Sequence, residues 1–407
     1  MRESTQTPDD AAVDEIVEGL LRFIDSVVLP IETQHAALLN DPRRVYDERG
    51  ALTPAVRRLK SEVRTRSAQA GYYTMFAPAS VGGGGYGSYV LYRSWEALHR
   101  RYGPGRPLPY ASLAHWSSGP SVLCAQLTPA AAEQMLQPFM NGKMTSCFGM
   151  SEPDAGSDAW AMRTRATRHG DSWVISGTKQ WITNSPTADY IFVFAVTDEA
   201  LKSKRQGGVS CFVVPMNSPG LKVDSVIQLF GSIGGDEGIV SFADVRVPAS
   251  ALVGELHRGF DLALAGVSTG RIYNAGRCVG LARWALEKAT EYAKQRVAFG
   301  HPIAEYQGIS FALADCATEI YASDTMSVDC ARRLDSGETA VEQVSMVKLF
   351  TTEMCSRVYE RCMQAHGGMG LTNEMKLYDG WHQARYVRIA DGSAEIMRRN
   401  IARSILK

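Results

Sequence analysis

Two carboxylates stand four residues apart in the stretch "RIADGSAEI" (388–396): Asp391, which precedes Gly392, and Glu395. A carboxylate held in a dry pocket can act as a general base, because burial lifts its pKa toward the working pH. Asp-Gly is also a plain turn signal, so the stretch reads both ways. Other stretches hold residues of chemical interest. In "SEPDAGSDAW" (151–160), Ser151, Gly156 and Ser157 bring hydroxyls, a small residue and exposed N–H groups into one loop. Such a loop suits close packing against a polar ring or a phosphate chain, and is equally a solvated turn. "TKQWITN" (178–184) sets Trp181 between threonine-bearing positions of a strand-like pattern. The indole belongs either to a core or to a wall against a planar ring, with Thr183 donating a hydrogen bond.

"KQRVAFG" (294–300) ends a helical stretch with Arg296 and Phe299. The guanidinium would pair bidentately with a phosphate, or sit as favourable charge at a helix C-terminus beside a core aromatic. "HGGMG" (366–370) follows a long helix; its glycines let the backbone approach a pyrophosphate, or simply stop the helix. "GGGGYG" (82–87) lacks the preceding strand and following lysine of a phosphate loop, and reads as a surface loop. The eight histidines, His301 and His366 included, form no metal-ligand spacing, and no Ser-His-Asp order or nucleophile elbow is present.

The elements that must position these residues follow from periodicity. Residues 1–12 read as a loose tail. From 13 to 146 apolar residues recur three and four apart, as in "VDEIVEGLLRFIDSVV", which predicts a helical domain. From 147 to 255 short runs rich in β-branched and aromatic residues ("SWVISG", "DYIFVFAV", "VSCFVVPM") alternate with turn signals, which predicts a β domain. From 256 to 407 the helical period returns. Leu313, Cys316, Ala317, Ile320 and Tyr321 make one stripe; Val344, Val347, Thr351, Met354, Cys355, Val358 and Cys362 make another, ending at Gly367 as a C-cap. Helices, then strands, then helices make an α+β layout without βαβα alternation.

Composition narrows the function. The 407 residues are 45% hydrophobic and 21% charged, with 43 basic and 43 acidic side chains and a formal net charge of zero. That balance argues against a nucleic-acid binder while leaving room for a local basic patch. Eight cysteines without a C-x-x-C suggest small buried hydrophobes in a reduced, cytoplasmic setting. The polar, acidic start shows no signal peptide, and the densest apolar run, "YIFVFAV" (190–196), is too short to span a bilayer.

In this order and at these separations, the stretches resemble the acyl-CoA dehydrogenase family of flavoproteins. The resemblance rests on "CFGMSEPDAGSD" (147–158), "GTKQWITN" (177–184), "SFADVRVPASALVGE" (241–255), "RVAFGHPIAEYQ" (296–307), "QAHGGMG" (364–370) and "ADGSAEIMRRNIAR" (390–403). It covers nearly the whole chain beyond the tail. It implies an N-terminal helical domain, a middle β-barrel-like domain and a C-terminal four-helix bundle. It also implies FAD bound without a Rossmann fold, and a homotetramer, a dimer of dimers in which a neighbouring subunit completes each flavin site. By position, Phe148, Met150, Ser151, Gly156 and Ser157 would line the flavin, with Trp181 and Thr183 on the isoalloxazine side. Arg296, Phe299, Gln307, Gln364, Gly367 and Gly368 would serve the ADP half, and Ser393 and Glu395 would also contact FAD. On the substrate side fall Ser157, Arg271, Gly392 and Arg403, the two arginines toward the phosphates of CoA.

The chemistry so implied is α,β-desaturation of an acyl-CoA or acyl-carrier thioester. Asp391 would take the α-proton while a hydride passes from the β-carbon to flavin N5, and electron-transferring flavoprotein would accept the electrons. Most family members carry Glu immediately before this glycine; subgroups with Asp often act on branched, cyclic or otherwise substituted acyl groups. The family's second location for the base, just before Arg271, holds Gly270 here. Ala390 replaces a common aromatic, and "GRIYN" (270–274) departs from the usual pattern as well. Two other readings stand beside this one: a flavin monooxygenase or oxidase of the same fold, which needs no such base, and a non-catalytic binding protein. No partner nucleic acid and no membrane span are expected.

Overall fold

In a computed structural model, residues 5–406 are described, and the chain divides into two compact units. The first comprises Phe23–Gly85 and Ala111–Val267; the second comprises Thr5–Arg22, Tyr86–Tyr110 and the chain from Ser268 onward.

The first unit is built on an eight-stranded sheet: β1 (Ser146–Gly149), β2 (Arg165–His169), β3 (Ser172–Thr183), β4 (Tyr190–Val196), β5 (Val209–Pro215), β6 (Leu221–Ile227), β7 (Glu237–Pro248) and β8 (Leu252–Val253). The strand order is β6-β7-β3-β2-β4-β5-β8, with β1 paired in parallel to β4. Strands β4 and β5 are buried on both faces. Ile191, Val193, Phe212 and Val214 join one core with Trp173 and Val245, while Phe192, Phe194, Cys211 and Val213 join another with Leu123 and Met135. Double burial is why "YIFVFAV" is a continuous apolar run rather than an alternating one. Strand β3 pairs with β7 through two register shifts, and the second, between Lys179 and Ile182, brackets Trp181. A bulge re-aims the side chain at that point. Trp181 accordingly has a left-handed φ of 64° and lies 53% exposed.

The helices of the chain include α1 (Asp10–Phe23), α2 (Pro54–Gln69), α3 (Ser88–Tyr102), α4 (Pro129–Met140), α5 (Gly259–Gln295), α6 (Gln307–Asp335), α7 (Val341–His366), α8 (Leu377–Val387) and α9 (Ala394–Ile405). Helix α1 begins inside the stretch expected as a loose tail, because the Asp9 carboxylate accepts from the Ala12 N–H (2.9 Å) and caps it. Helix α7 packs against α6, α8 and α9 in the second unit. All seven residues of its expected stripe are buried, and Gly367 ends it with φ 56°. On α6 the stripe is narrower than expected: Cys316 and Ile320 are buried, with Ser323, Ser327 and Cys330 continuing the face. Ala317 and Tyr321 point to solvent, because a step of four residues per turn drifts off a face that small residues already define.

Glycines govern two close approaches in the second unit. A Cβ on Gly276 or Gly280 of α5 would collide with the α3 backbone at Tyr92 and Glu96, so α3 and α5 pack backbone to backbone. At Gly87 a Cβ would strike the Asp335 carboxylate, which accepts from the Ser88 and Tyr89 N–H groups (2.6 and 2.9 Å) and caps α3 from the end of α6. The last glycine of "GGGGYG" therefore serves a helix cap. Among the described residues no helix is long and apolar enough to cross a membrane.

Candidate active site

Asp391 sits in the turn between α8 and α9 with φ 54°, and Gly392 follows with φ 98°. Asp-Gly permits this pair of left-handed conformations, since Asp tolerates the region and Gly adopts it without strain. Lys348, fully buried on α7, clasps the turn by donating to the carbonyls of Gly392 (2.6 Å) and Arg388 (3.3 Å). From α5, Arg271 Nε donates to the Asp391 carbonyl (3.1 Å) and Asn274 Nδ2 donates to the Asp391 carboxylate (2.7 Å). Gly392 leaves room for this: a Cβ there would stand 2.8 Å from Met397 and 3.3 Å from the Arg271 guanidinium. Among the described residues none accepts from the Asp391 N–H.

The surroundings raise the Asp391 pKa above its ordinary value. Desolvation drives the shift; Lys348, Arg271, the Asn274 hydrogen bond and Arg277 oppose it. Burial also lowers Lys348 to about 8, so the ammonium beside the turn gives up its proton more readily than a free lysine does while still being mostly protonated near neutrality. Behind Asn274, Arg277 donates to Gln383 (3.2 Å) and to the Tyr386 hydroxyl, and lies over the Tyr386 ring. Tyr273 meets Trp95 edge-on at 4.6 Å.

Glu395 occupies a different environment. It is exposed in the first turn of α9, where Ser393 caps the helix by accepting from the Ile396 N–H (3.4 Å). Its pKa is lowered by its own backbone N–H and by the Ser393 hydroxyl. Of the two carboxylates in the stretch, only Asp391 has an environment that raises its pKa, as a general base requires.

The remaining candidate residues fall into separate groups. In the first unit, Ser151 follows β1, and its carbonyl accepts from the Gln180 N–H (2.9 Å), which docks the 151–158 loop on β3 beside Trp181 and Thr183. Phe148 packs between Trp116 and Phe194, and Met150 joins the same apolar cluster, whereas Gly156 and Ser157 are exposed. A buried ion pair missed at the sequence level holds this loop. Lys179 Nζ reaches Glu152 (2.8 Å) and the Met150 carbonyl (3.0 Å), while Glu152 accepts from the N–H groups of Arg163 (2.6 Å) and Thr164 (2.9 Å). Lys179 stood inside the quoted "GTKQWITN"; a lysine in a buried strand was the available signal.

In the second unit, Arg296, Phe299 and Gln307 lie around the short hairpin after α5. Gln364, Gly367 and Gly368 lie at the end of α7, and the two regions are linked where Tyr292 stacks on His366 at 4.6 Å. From Asn274 to the end of α5 the helix runs about 30 Å. Arg296 and its neighbours therefore lie far from Asp391, Gly392 and Ser393 within one chain. Arg403 is exposed in the last turn of α9.

Two features suit a flavin. The Trp181 indole is presented outward by a bulge, and nothing lies within 4 Å of a Cβ built on Gly156, Gly367 or Gly368, so these backbones are open to close approach. Among the described residues no cluster of side chains could hold a metal ion.

The family description "Acyl-CoA dehydrogenase, middle domain" matches residues 147–245, and "Acyl-CoA dehydrogenase, C-terminal domain" matches residues 257–406. The chain belongs to the acyl-CoA dehydrogenase family. It is similar to the short-chain specific acyl-CoA dehydrogenase of Bos taurus mitochondria, 38% identical over 69% of this chain and 67% of that one. It is also similar to the caffeyl-CoA reductase-Etf complex subunit CarC of Acetobacterium woodii, 31% identical over 85% and 90%. Among solved structures, the acyl-CoA dehydrogenase from Geobacillus kaustophilus superposes with a TM-score of 0.83 at 25% identity, covering 98% of this chain and 99% of that one. Like the rest of the acyl-CoA dehydrogenase family, the chain is an FAD-dependent oxidoreductase of acyl thioesters, acting on CH–CH bonds.

Proposed function

We propose that this acyl-CoA dehydrogenase desaturates an acyl thioester at the α,β position, with Asp391 as the base that removes the α-proton. The observation that carries the reading is the environment of Asp391: a carboxylate in a left-handed turn, lifted in pKa by burial, beside a backbone N–H that no described residue engages. FAD, when bound, supplies the acceptor for the β-hydride. The protein orients the thioester so that its carbonyl oxygen takes the Asp391 N–H, which stabilises the enolate-like charge. Proton removal and charge stabilisation then come from one residue.

Phe148, Met150, Ser151, Gly156, Ser157, Trp181 and Thr183 would hold the flavin ring and its neighbouring chain. Arg296, Phe299, Gln307, Gln364, Gly367 and Gly368 would hold the ADP half. The distance along α5 supports their serving a flavin of a second copy, within a homotetramer. Arg271 and the exposed Arg403 would meet the phosphates of CoA or a carrier arm. Electron-transferring flavoprotein is the proposed acceptor, and the similarity to a reductase–Etf complex subunit supports it. The cytoplasm is the proposed compartment. The substrate we propose is a branched, cyclic or otherwise substituted acyl group, because the shorter acid and Ala390 reshape the pocket at the reacting carbons.

Asp391→Asn tests the assignment. Under anaerobic conditions, acyl-CoAs with straight, branched, cyclic and aryl-substituted chains are mixed with the yellow enzyme and flavin bleaching is followed. The variant should bind flavin and lose at least about a thousandfold in bleaching rate, within the usual contribution of a general base. Unchanged bleaching removes Asp391 from the mechanism. Rapid reoxidation by oxygen without a protein acceptor would instead favour an oxidase of the same fold.

A further inference from the structure

The sequence assigns no role to Asn274, yet among the described residues it is the one side chain that donates a hydrogen bond to the Asp391 carboxylate. It is 3% exposed, it lies one helical turn beyond Arg271 on α5, and its amide donates to Asp391 Oδ2 at 2.7 Å. Leaving so polar a side chain in an apolar helix interface is unfavourable unless its donor is used. We propose that Asn274 is the positioning residue of the base: its amide holds one carboxylate oxygen, so that the other is left directed at the substrate's α-carbon. This proposal rests on the reading of Asp391 as the base.

The need for such a residue follows from the length of the acid. Aspartate has one rotatable bond fewer than glutamate and reaches less far, so small rotations of its carboxylate move it off the reacting proton. A near-attack geometry is lost by displacements of about 1 Å. The clasp of Lys348 and the Arg271 hydrogen bond fix the backbone of the turn, but both end on carbonyl oxygens rather than on the carboxylate. Among the described residues Asn274 alone donates to the side chain. Charged and titratable groups facing this carboxylate are Lys348 from α7 and Arg271, Tyr273 and Arg277 from α5. None of these donates to it at hydrogen-bond distance.

A donor on the ionised carboxylate stabilises that form, so removing it should make ionised Asp391 harder to keep in the fold. The test is a thermal-unfolding cycle on the flavin-loaded protein at pH 4.5 and pH 8, comparing wild type, N274L, N274D, D391N and N274L/D391N. Leucine matches Asn in size without a donor; N274D keeps the shape and replaces the donor by an acid. N274L should lose about 1–2 °C more at pH 8 than at pH 4.5, for a shift of about one pH unit in Asp391, whereas N274D, which sets a second acid against the first, should lose more still at pH 8. The extra loss should vanish when Asp391 is already Asn. If Asn274 were merely structural, N274L would lower the midpoint equally at both pH values and in both backgrounds, and that result overturns the proposal.

Flavin bleaching by D391N separates the two readings. If D391N is inactive and the cycle shows no pH-dependent coupling, the role of Asn274 alone fails. If the coupling is present but D391N bleaches at the wild-type rate, the base reading fails and the positioning role falls with it.

Discussion

At Asp391 function and stability pull apart. Its raised pKa means that the folded protein holds this proton more firmly than the unfolded chain does. The stability it contributes is full below the ordinary carboxylate pKa of about 3.8 and is lost as pH rises through the folded value. Near neutrality the ionised acid therefore destabilises the fold. D391N, which also suits the left-handed backbone, should unfold at a higher temperature than wild type at pH 7.5, and the gap should close toward pH 4, as scanning calorimetry would show. Gly392 constrains the same turn. G392A places a methyl against Met397 at φ 98° and should cost about 1–3 kcal/mol, measured by denaturant titration. The turn at Asp391 was legible because Asp-Gly announces its own backbone, while its role as a base rested on the resemblance to the family. Asn274 was not, because the contact joins residues 117 apart and nothing local in "GRIYN" distinguishes a ligand of the base from a buried amide.

At the scale of elements, β3 and the loop before it are one device. The bulge turns Trp181 outward while the Lys179–Glu152 pair, buried on both sides, ties the loop to the strand. Breaking one partner of a buried pair leaves a charge uncompensated, typically at about 3–5 kcal/mol. E152Q should lower the unfolding midpoint and release flavin on dilution, read as the FAD fraction that passes an ultrafilter, while E199Q, whose own carboxylate is exposed and pairs with the exposed Arg165, should do neither. Lys179 is lowered to about 8 by burial, so its protonated form is disfavoured in the fold and its contribution improves as pH climbs from about 8 toward 10.5. Periodicity revealed the α7 stripe and the doubly buried β4 and β5, because long apolar patterns leave few alternatives. It overran on α6, where Tyr321 is 74% exposed, since an apolar residue next to a stripe is not thereby part of it.

On the scale of the molecule, the order helix, strand, helix was legible, but the way the chain is shared between units was not. The second unit gathers three separated stretches, and α3 is capped by Asp335 from the far end of α6. D335A should cost about 1–2 kcal/mol, seen as a fall in the unfolding midpoint. The same cap sets a timetable for synthesis. Ser88 and its partner are 247 residues apart. At about 5–20 residues per second, α3 leaves the ribosome roughly 10–50 s before the carboxylate that finishes it. Until then its first N–H groups and the apolar face of Tyr92, Trp95 and Leu98 have no permanent partner from α5 or α6. The start of α3 therefore waits on the last-made part of α6, and the two helices are finished together rather than in chain order.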